Sequence, residues 1–169
     1  MNTLSSIGLA ATAAGDDFEK VLWEKLLINS AINPLTALYE VKNGVLRESA
    51  TMKELMVEVC ISNYSQRQII REGVSVARMA CPHFEMDVDE MVSKSLCVCE
   101  QTARTLYNLC FIVLENNSSM LSDILKNQHT EIDFINGFLV RAANKYNLST
   151  PLNEHITKLI KAKEELICH

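Results

Sequence analysis

The chain has 169 residues, enough for one domain with a sizeable core, and its 48% apolar and 22% charged residues are typical of a soluble globular protein. A net charge of −5 without any Lys/Arg-rich run argues against nucleic acid as the main partner, and no apolar run approaches the roughly 20 residues of a membrane span. Six cysteines without Cys-x-x-Cys spacing and four scattered histidines indicate reduced core thiols and no metal site.

The N-terminal segment has no basic residue before Lys20, whereas a signal peptide normally begins with positive charge. We therefore predict a cytoplasmic protein. The sequence also has no Gly-x-Gly-x-x-Gly turn, P-loop or Gly-x-Ser-x-Gly elbow. It thus offers no segment that would hold nucleotide phosphates unaided.

The first predicted helix starts at the capping box of residues 16–19 and runs to the residue before Pro34. Proline disfavours helical geometry in the residue before it and removes the hydrogen bond to Ser30. We expect a kink or restart there, followed by a short helix to about Lys42. The Asn43-Gly44 turn then ends this helix.

Three polar residues of the first helix, Lys25, Asn29 and Asn33, recur at i, i+4 and i+8 and form one line along it. The positions between them are apolar: Leu26, Leu27, Ile28 and Ile32. The pattern predicts a buried helix with one polar stripe. An amine and two amides in an apolar setting can bind and protonate a small oxygen-rich molecule. The alternative is a solvated face with incidental amides.

The middle of the chain is predicted to be helical with one break. The capping box of residues 51–54 starts a helix, the polar stretch 62–68 is predicted to be a break, and a helical run over 69–80 stops at Cys81-Pro82. Asp87 caps the next helix. That helix has the longest apolar stripe in the chain, typical of core: Val92, Leu96, Cys99, Ala103, Leu106, Cys110 and Val113.

The last third of the chain contains three predicted helices. Residues 116–120 are rich in cap formers and precede a short helix to about Lys126. Thr130 caps another helix, with Glu131 in its first turn, where a carboxylate suits the helix dipole. Pro151 takes the first position of the final helix, whose lysines and glutamates should face outward. The residues predicted to face inward are Ile132, Ile135, Leu139 and Ala142, then Leu152, Ile156, Leu159 and Ile160.

No alternating run of strand length appears, so the predicted fold class is all-α, with seven or eight helices.

Three stretches in order carry a family resemblance. They are Trp23-x-Lys25-Leu26-x-x-Asn29-x-x-x-Asn33-Pro34-Leu35-Thr36-Ala37 with Asn43-Gly44; Asn116-x-Ser118-Ser119-Met120-Leu121-x-Asp123-Ile124; and Thr130-Glu131-Ile132-Asp133-Phe134-Ile135-Asn136-Gly137 with Thr150-Pro151-x-Asn153. Together they resemble the C-terminal domain of ketopantoate reductase (2-dehydropantoate 2-reductase), from about Leu4 onward. The resemblance implies a single helical domain over residues 1–169, a multi-helix bundle of the 6-phosphogluconate dehydrogenase C-terminal-domain-like type.

The resemblance also implies a function. Family members reduce ketopantoate to pantoate with NADPH, on the route to pantothenate and coenzyme A, so the chain would be a substrate-binding and catalytic domain. Lys25 matches the catalytic lysine, and Glu131 matches a carboxylate that contacts the cofactor NADP. The positions that hold the 2-keto acid are matched by Asn29, Asn33, Asn43, Asn116 and Ser119.

The implied chemistry suits these residue types. As hydride reaches a ketone carbon, charge builds on the oxygen and a proton donor is needed. A lysine ammonium in a closed apolar cleft can supply the proton, because burial lowers its pKa. Amides and a hydroxyl would fix the keto acid without adding net charge. Helix capping is the alternative role for Ser119 and Glu131, and a simple turn is the alternative for Asn43.

The sequence resembles only one of the two domains of the family's enzymes. The family places a dinucleotide-binding domain before this region, and Met1 falls about where the link between the domains should be. We therefore expect that domain to be absent, the chain alone to be inactive, and NADP binding to need a nucleotide-binding domain in trans. The alternative function is a non-catalytic helical module that forms a homodimer or binds a partner.

Two internal stretches look longer than the family norm, around residues 62–73 and 104–115. If the second extended a helix rigidly, it would carry Ser119 about 16 Å along the helix axis. Either a bend absorbs the extra residues, or Ser119 no longer faces Lys25.

Overall fold

The computed structural model describes residues 15–43, 45, 62–81, 85–95 and 117–168, in which helices but no strands occur, as the predicted all-α class requires. The helices are α1 (Gly15–Tyr39), α2 (Ser62–Ala80), α3 (88–95), α4 (Ser119–Leu125), α5 (Asn136–Lys145) and α6 (Pro151–Ile167). The helix predicted from residue 51, the apolar stripe beyond Val92, the stretch 104–115 and Asn116 lie outside the described residues.

Helix α1 is the central element, since it packs against α2, α4 and α6. Its fully buried Leu27 and Leu35 are among the large side chains of the core, and each such side chain stabilises the fold by about 1.5–3 kcal/mol. At Gly73 of α2, an added Cβ would lie 2.3 Å from Leu27 Cδ2. The missing side chain therefore lets α2 approach α1 closely.

Helix α1 passes through Pro34 without the predicted restart. The Ser30 carbonyl, which cannot receive a hydrogen bond from Pro34, accepts one from Asn136 Nδ2 of α5 at 3.0 Å. A tertiary contact thus replaces the lost helical hydrogen bond. The expected short second helix is the last part of α1.

Helix α1 ends at Tyr39 rather than near the predicted Lys42. Lys163 of α6 caps this C-terminal end. Its Nζ donates to the carbonyls of Ala37 at 2.9 Å and Leu38 at 3.0 Å. Such terminal carbonyls lack partners within a helix, and a cation suits the negative end of the dipole. The expectation that every lysine of the final helix faces outward was wrong for this residue.

The predicted break at residues 62–68 was wrong, because this stretch forms the first turns of α2. It contains neither Gly nor Pro, and Gln and Arg are good helix formers. The apolar face continues behind it through Ile69, Ile70 and Val74, all buried. Helix α2 ends at Ala80, as predicted.

Three predicted helix starts were confirmed. Asp87 Oδ1 accepts from the backbone N–H groups of Asp89 at 2.8 Å and Glu90 at 3.0 Å, ahead of α3. Ser118 is the N-cap of α4, and Pro151 occupies the first turn of α6. Local capping chemistry was sufficient to locate these elements.

The predicted start at Thr130 was wrong, because residues 131–135 form turns and α5 begins at Asn136. Thr130 Oγ1 still accepts from the backbone N–H of Ile132 at 3.2 Å, so its capping closes a turn instead of a helix. The inward residues predicted for this segment are all buried: Ile132, Ile135, Leu139 and Ala142.

Across the parts of the chain given above, no helix has both the length and the apolar character that crossing a bilayer would demand.

Candidate functional site

The predicted polar line lies on the uninterrupted helix α1. Exposure decreases along it: Lys25 is exposed, Asn29 is half-buried, and Asn33 retains only 7% of its accessible surface. Lys25 therefore stands at the open end of the line. The closed apolar cleft expected around it is not formed by the described residues.

Ser119, the first residue of α4, is exposed and lies beside Asn33, the buried residue of the line. Asn33 Nδ2 donates to Ser119 Oγ at 3.4 Å, although the two residues are 86 positions apart in the sequence. The stretch 104–115 therefore does not separate these two predicted substrate-binding residues. At this length the hydrogen bond is weak, so either group can exchange it for a ligand atom.

A pair of buried hydroxyls fixes the start of α4 on α1. The oxygens of Thr36 and Ser118 lie 2.6 Å apart. Thr36 Oγ1 donates its one hydrogen to the Asn33 carbonyl at 2.8 Å, so the Ser118 hydroxyl is the donor between them. Ser118 Oγ also accepts from the Leu121 N–H at 3.0 Å as the helix cap. This pair holds the neighbouring Ser119 against Asn33.

The sequence alone does not indicate this hydroxyl pair. In the sequence, Ser118 is one of several cap formers, and Thr36 is one residue of a resembling stretch. The capping preference of serine was a usable signal for Ser118. No local pattern indicates that Thr36 meets it, because the two residues are 82 positions apart.

Asn43 follows the end of α1 and is half-buried. Its Oδ1 is buried and has no hydrogen-bond partner in the described part of the chain. Buried polar atoms usually have a partner, so this oxygen is available to a donor. Asn116, the remaining predicted substrate-binding residue, lies outside the described residues.

Glu131 is exposed on the turn before α5. A buried carboxylate, Glu164 of α6, holds this turn: its Oε1 accepts from the Thr130 backbone N–H at 2.7 Å and from Thr130 Oγ1 at 2.6 Å. Glu164 is only 7% exposed, so the expectation that glutamates of the final helix face outward was wrong here.

The position of Glu131 allows a test of the cofactor that the resemblance implies. An exposed carboxylate accepts hydrogen bonds from hydroxyl groups and repels phosphates. Glu131 therefore fits the ribose hydroxyls of a dinucleotide and not its phosphates. Those phosphates would need groups other than Glu131.

Comparison with known proteins gives matches over nearly the whole chain. The 2-dehydropantoate 2-reductase of Pyrococcus horikoshii is 37% identical over 144 residues, which cover 85% of this chain and 40% of that protein. The enzyme of the same name from Aquifex aeolicus is 38% identical over 149 residues, which cover 88% of this chain and 41% of that protein. The chain thus spans well under half the length of these relatives.

A solved structure has the same fold. The ternary complex of D-mandelate dehydrogenase with NADH and anilino(oxo)acetate matches with a TM-score of 0.68 and 27% identity, over 90% of this chain and 55% of that chain. The family profile for the C-terminal part of ketopantoate reductase (PanE/ApbA) matches residues 17–164. Because profile, relatives and fold agree over nearly its whole length, the chain belongs to the ketopantoate reductase family and matches its C-terminal helical domain.

Proposed function

We propose that this chain supplies the substrate-binding and proton-donating half of an NADPH-dependent 2-keto acid reductase that converts ketopantoate to pantoate. The observation that carries the proposal is the 3.4 Å contact between Asn33 and Ser119. It joins two residues that the family resemblance assigns to the substrate, at the end of the helix face that also bears Lys25 and Asn29. The names of the curated relatives support ketopantoate as the substrate.

In this proposal each side chain has a separate task. NADPH supplies a hydride to the ketone carbon when it is bound. The Lys25 ammonium gives a proton to the carbonyl oxygen as negative charge develops there, which completes the reduction to an alcohol. Asn29, Asn33 and Ser119 hold the carboxylate and hydroxyl groups of the keto acid, with Asn43 and Asn116 as further contacts.

The exposed end of the polar line leaves room for contact with a second domain. Lys25 and Glu131 are both exposed, so both are accessible to a nucleotide-binding domain placed over them. Glu131 would accept a hydrogen bond from a nucleotide hydroxyl, and the added domain would hold the phosphates. Cytoplasmic location and a homodimer remain predictions.

Two measurements test the proposal. Titration of the purified chain with ketopantoate should shift the side-chain amide NMR signals of Asn29 and Asn33. With a nucleotide-binding domain supplied in trans, the chain should oxidise NADPH in the presence of ketopantoate. Lys25→Ala should then lower turnover about 10²–10⁴-fold, the usual contribution of a general acid. The matched control is Lys20→Ala, which removes another exposed lysine from α1 and should leave turnover unchanged.

Two results would contradict the proposal. If Lys25→Ala and Lys20→Ala have equal effects on turnover, Lys25 is not the proton donor. If ketopantoate shifts no signal and no added domain restores turnover, the chain is better described as a non-catalytic helical module.

A further inference from the structure

Pro34 leaves one backbone hydrogen bond of α1 unmade in the middle of the candidate site. The group that lacks its helical partner is the Ser30 carbonyl, between Asn29 and Asn33, because proline has no N–H to donate to it. Ser30 is fully buried, so water does not reach that carbonyl. The Asn136 side chain of α5 is its partner, with Nδ2 at 3.0 Å.

A chain of buried groups sets the orientation of the Asn136 amide. It starts at the carboxylate of Glu72, whose Oε2 accepts from Asn153 Nδ2 at 2.7 Å. Asn153 Oδ1 therefore points to Asn136 and accepts from its Nδ2 at 3.0 Å. The second hydrogen of the same Nδ2 is left for Ser30. A flipped Asn136 would place its oxygen against two other oxygens, so the network allows only the donating orientation.

We propose that Asn136 is a positioning residue of the substrate site, an inference that rests on the proposed function. By donating to the carbonyl that Pro34 leaves unpaired, Asn136 sets the direction in which α1 continues past the proline. Helices bend where a backbone hydrogen bond is missing, and a fixed donor at that point fixes the bend. The bend determines how Asn33, with its partner Ser119, is placed relative to Asn29 and Lys25.

The test combines two substitutions. Asn136→Leu removes the donor, and Pro34→Ala restores a backbone N–H for the Ser30 carbonyl. Residual dipolar couplings give the angle between residues 15–29 and 34–39 of α1, and an NMR titration gives the Kd for ketopantoate. Asn136→Leu alone should change the angle and raise the Kd about tenfold, which corresponds to ~1.4 kcal/mol. In the Pro34→Ala background, the same substitution should leave the angle unchanged and raise the Kd by less than about twofold.

A control separates positioning from general destabilisation. Ile156→Val trims a buried side chain of α6, and Ile156 is only 4% exposed. This variant should lower stability without changing the angle or the Kd. If Ile156→Val moves them as much as Asn136→Leu does, the inference is overturned.

The angle is measured without keto acid, so the two proposals can fail separately. If the wild-type chain does not bind ketopantoate, the proposed function fails while the angle still tests Asn136. An unchanged angle in Asn136→Leu, or equal losses in both backgrounds, overturns the inference. If the single variant does not fold and the double variant does, that rescue supports it. If neither folds, a backbone N–H at residue 34 does not compensate for the loss of Asn136, and the inference is overturned.

Discussion

Glu40 combines a strained backbone with a favourable ion pair. Its φ of 52° lies in the left-handed region, which costs a residue with a Cβ about 1–2 kcal/mol. Asn127 and Asn147 have similar φ values of 54° and 53° just past the ends of α4 and α5, and asparagine tolerates this conformation better. At Glu40 the side chain offsets part of this cost, because Oε1 lies 2.8 Å from Lys163 Nζ.

This ion pair makes the stability of the protein depend on acidic pH. The hydrogen bond from Lys163 and its charge hold the pKa of Glu40 below its usual value. A lowered pKa in the folded state stabilises the fold above the unfolded-state pKa of about 4.3, and the effect is lost as pH falls through the folded-state pKa. The Glu40 side chain is 56% exposed, so the contribution is at most about 1 kcal/mol.

We therefore expect Glu40→Gln to lower the free energy of unfolding near neutral pH and to have little effect once Glu40 is protonated. Urea unfolding of both proteins across that pH range measures the difference. Glu165→Gln, which changes an exposed glutamate of α6, is the control for net charge. A difference between wild type and Glu40→Gln that persists at the acid end would show that the ion pair is not its cause.

At the residue scale, the sequence predicted a line of polar groups but not its surroundings. The spacing of Lys25, Asn29 and Asn33 follows from helix geometry alone, and the line is present. The contact of Asn33 with Ser119 joins distant parts of the chain, so the spacing within α1 does not indicate it. The contact of Asn136 with α1 is equally non-local, so no periodicity indicates it.

At the scale of elements, the docking of α4 on α1 depends on the Thr36–Ser118 hydroxyl pair. We expect Thr36→Val, which keeps the shape of the side chain, to destabilise the protein by about 1–3 kcal/mol, because the buried Ser118 hydroxyl loses its acceptor. The amide hydrogen of Leu121 should also exchange faster with solvent, since its acceptor is the same hydroxyl. Hydrogen exchange with urea unfolding measures both effects.

The control for this prediction is Thr157→Val in α6. Thr157 Oγ1 donates to the Asn153 carbonyl at 2.7 Å, so its loss also removes one threonine hydroxyl from a helix but leaves α4 untouched. Thr36→Ser should behave like the wild type because it keeps the oxygen. If Thr36→Val and Thr157→Val are alike in the exchange of Leu121, the hydroxyl pair does not hold α4.

The errors in the predicted elements have two different causes. Caps were located correctly at Asp87 and Ser118, where a side chain bonds to the backbone a few residues away. The restart expected at Pro34 does not occur, and the hydrogen bond that the proline removes is replaced by one from Asn136, a tertiary partner. The stretch 62–68 is polar but contains good helix formers, so its polarity does not indicate irregular structure. Side chains that cap a nearby backbone could be identified from the sequence, whereas the contact made at Pro34 depends on tertiary packing.

At the scale of the whole molecule, Glu72 joins α2 to the start of α6. This carboxylate is only 4% exposed. Its Oε1 accepts from the Leu152 N–H at 3.1 Å, and its Oε2 accepts from the Asn153 N–H at 3.0 Å. Both donors belong to the first turn of a helix, where a negative charge is stabilised by the dipole. The all-α class followed from the sequence pattern, but this cross-link between helices did not, since a lone glutamate in a helix is ordinarily solvated.

Glu72→Gln should therefore destabilise the whole fold although it preserves the size of the side chain. A glutamine must turn its NH₂ group toward one of the N–H donors that the carboxylate accepts from, which leaves a buried donor unpaired and costs about 1–3 kcal/mol. Because Glu72 connects two helices, amide exchange should accelerate in both α2 and α6. Glu165→Gln, exposed on α6, should change neither stability nor exchange appreciably. Faster exchange confined to α2 would mean that the carboxylate caps nothing in α6, and that the two helices are joined by apolar packing alone.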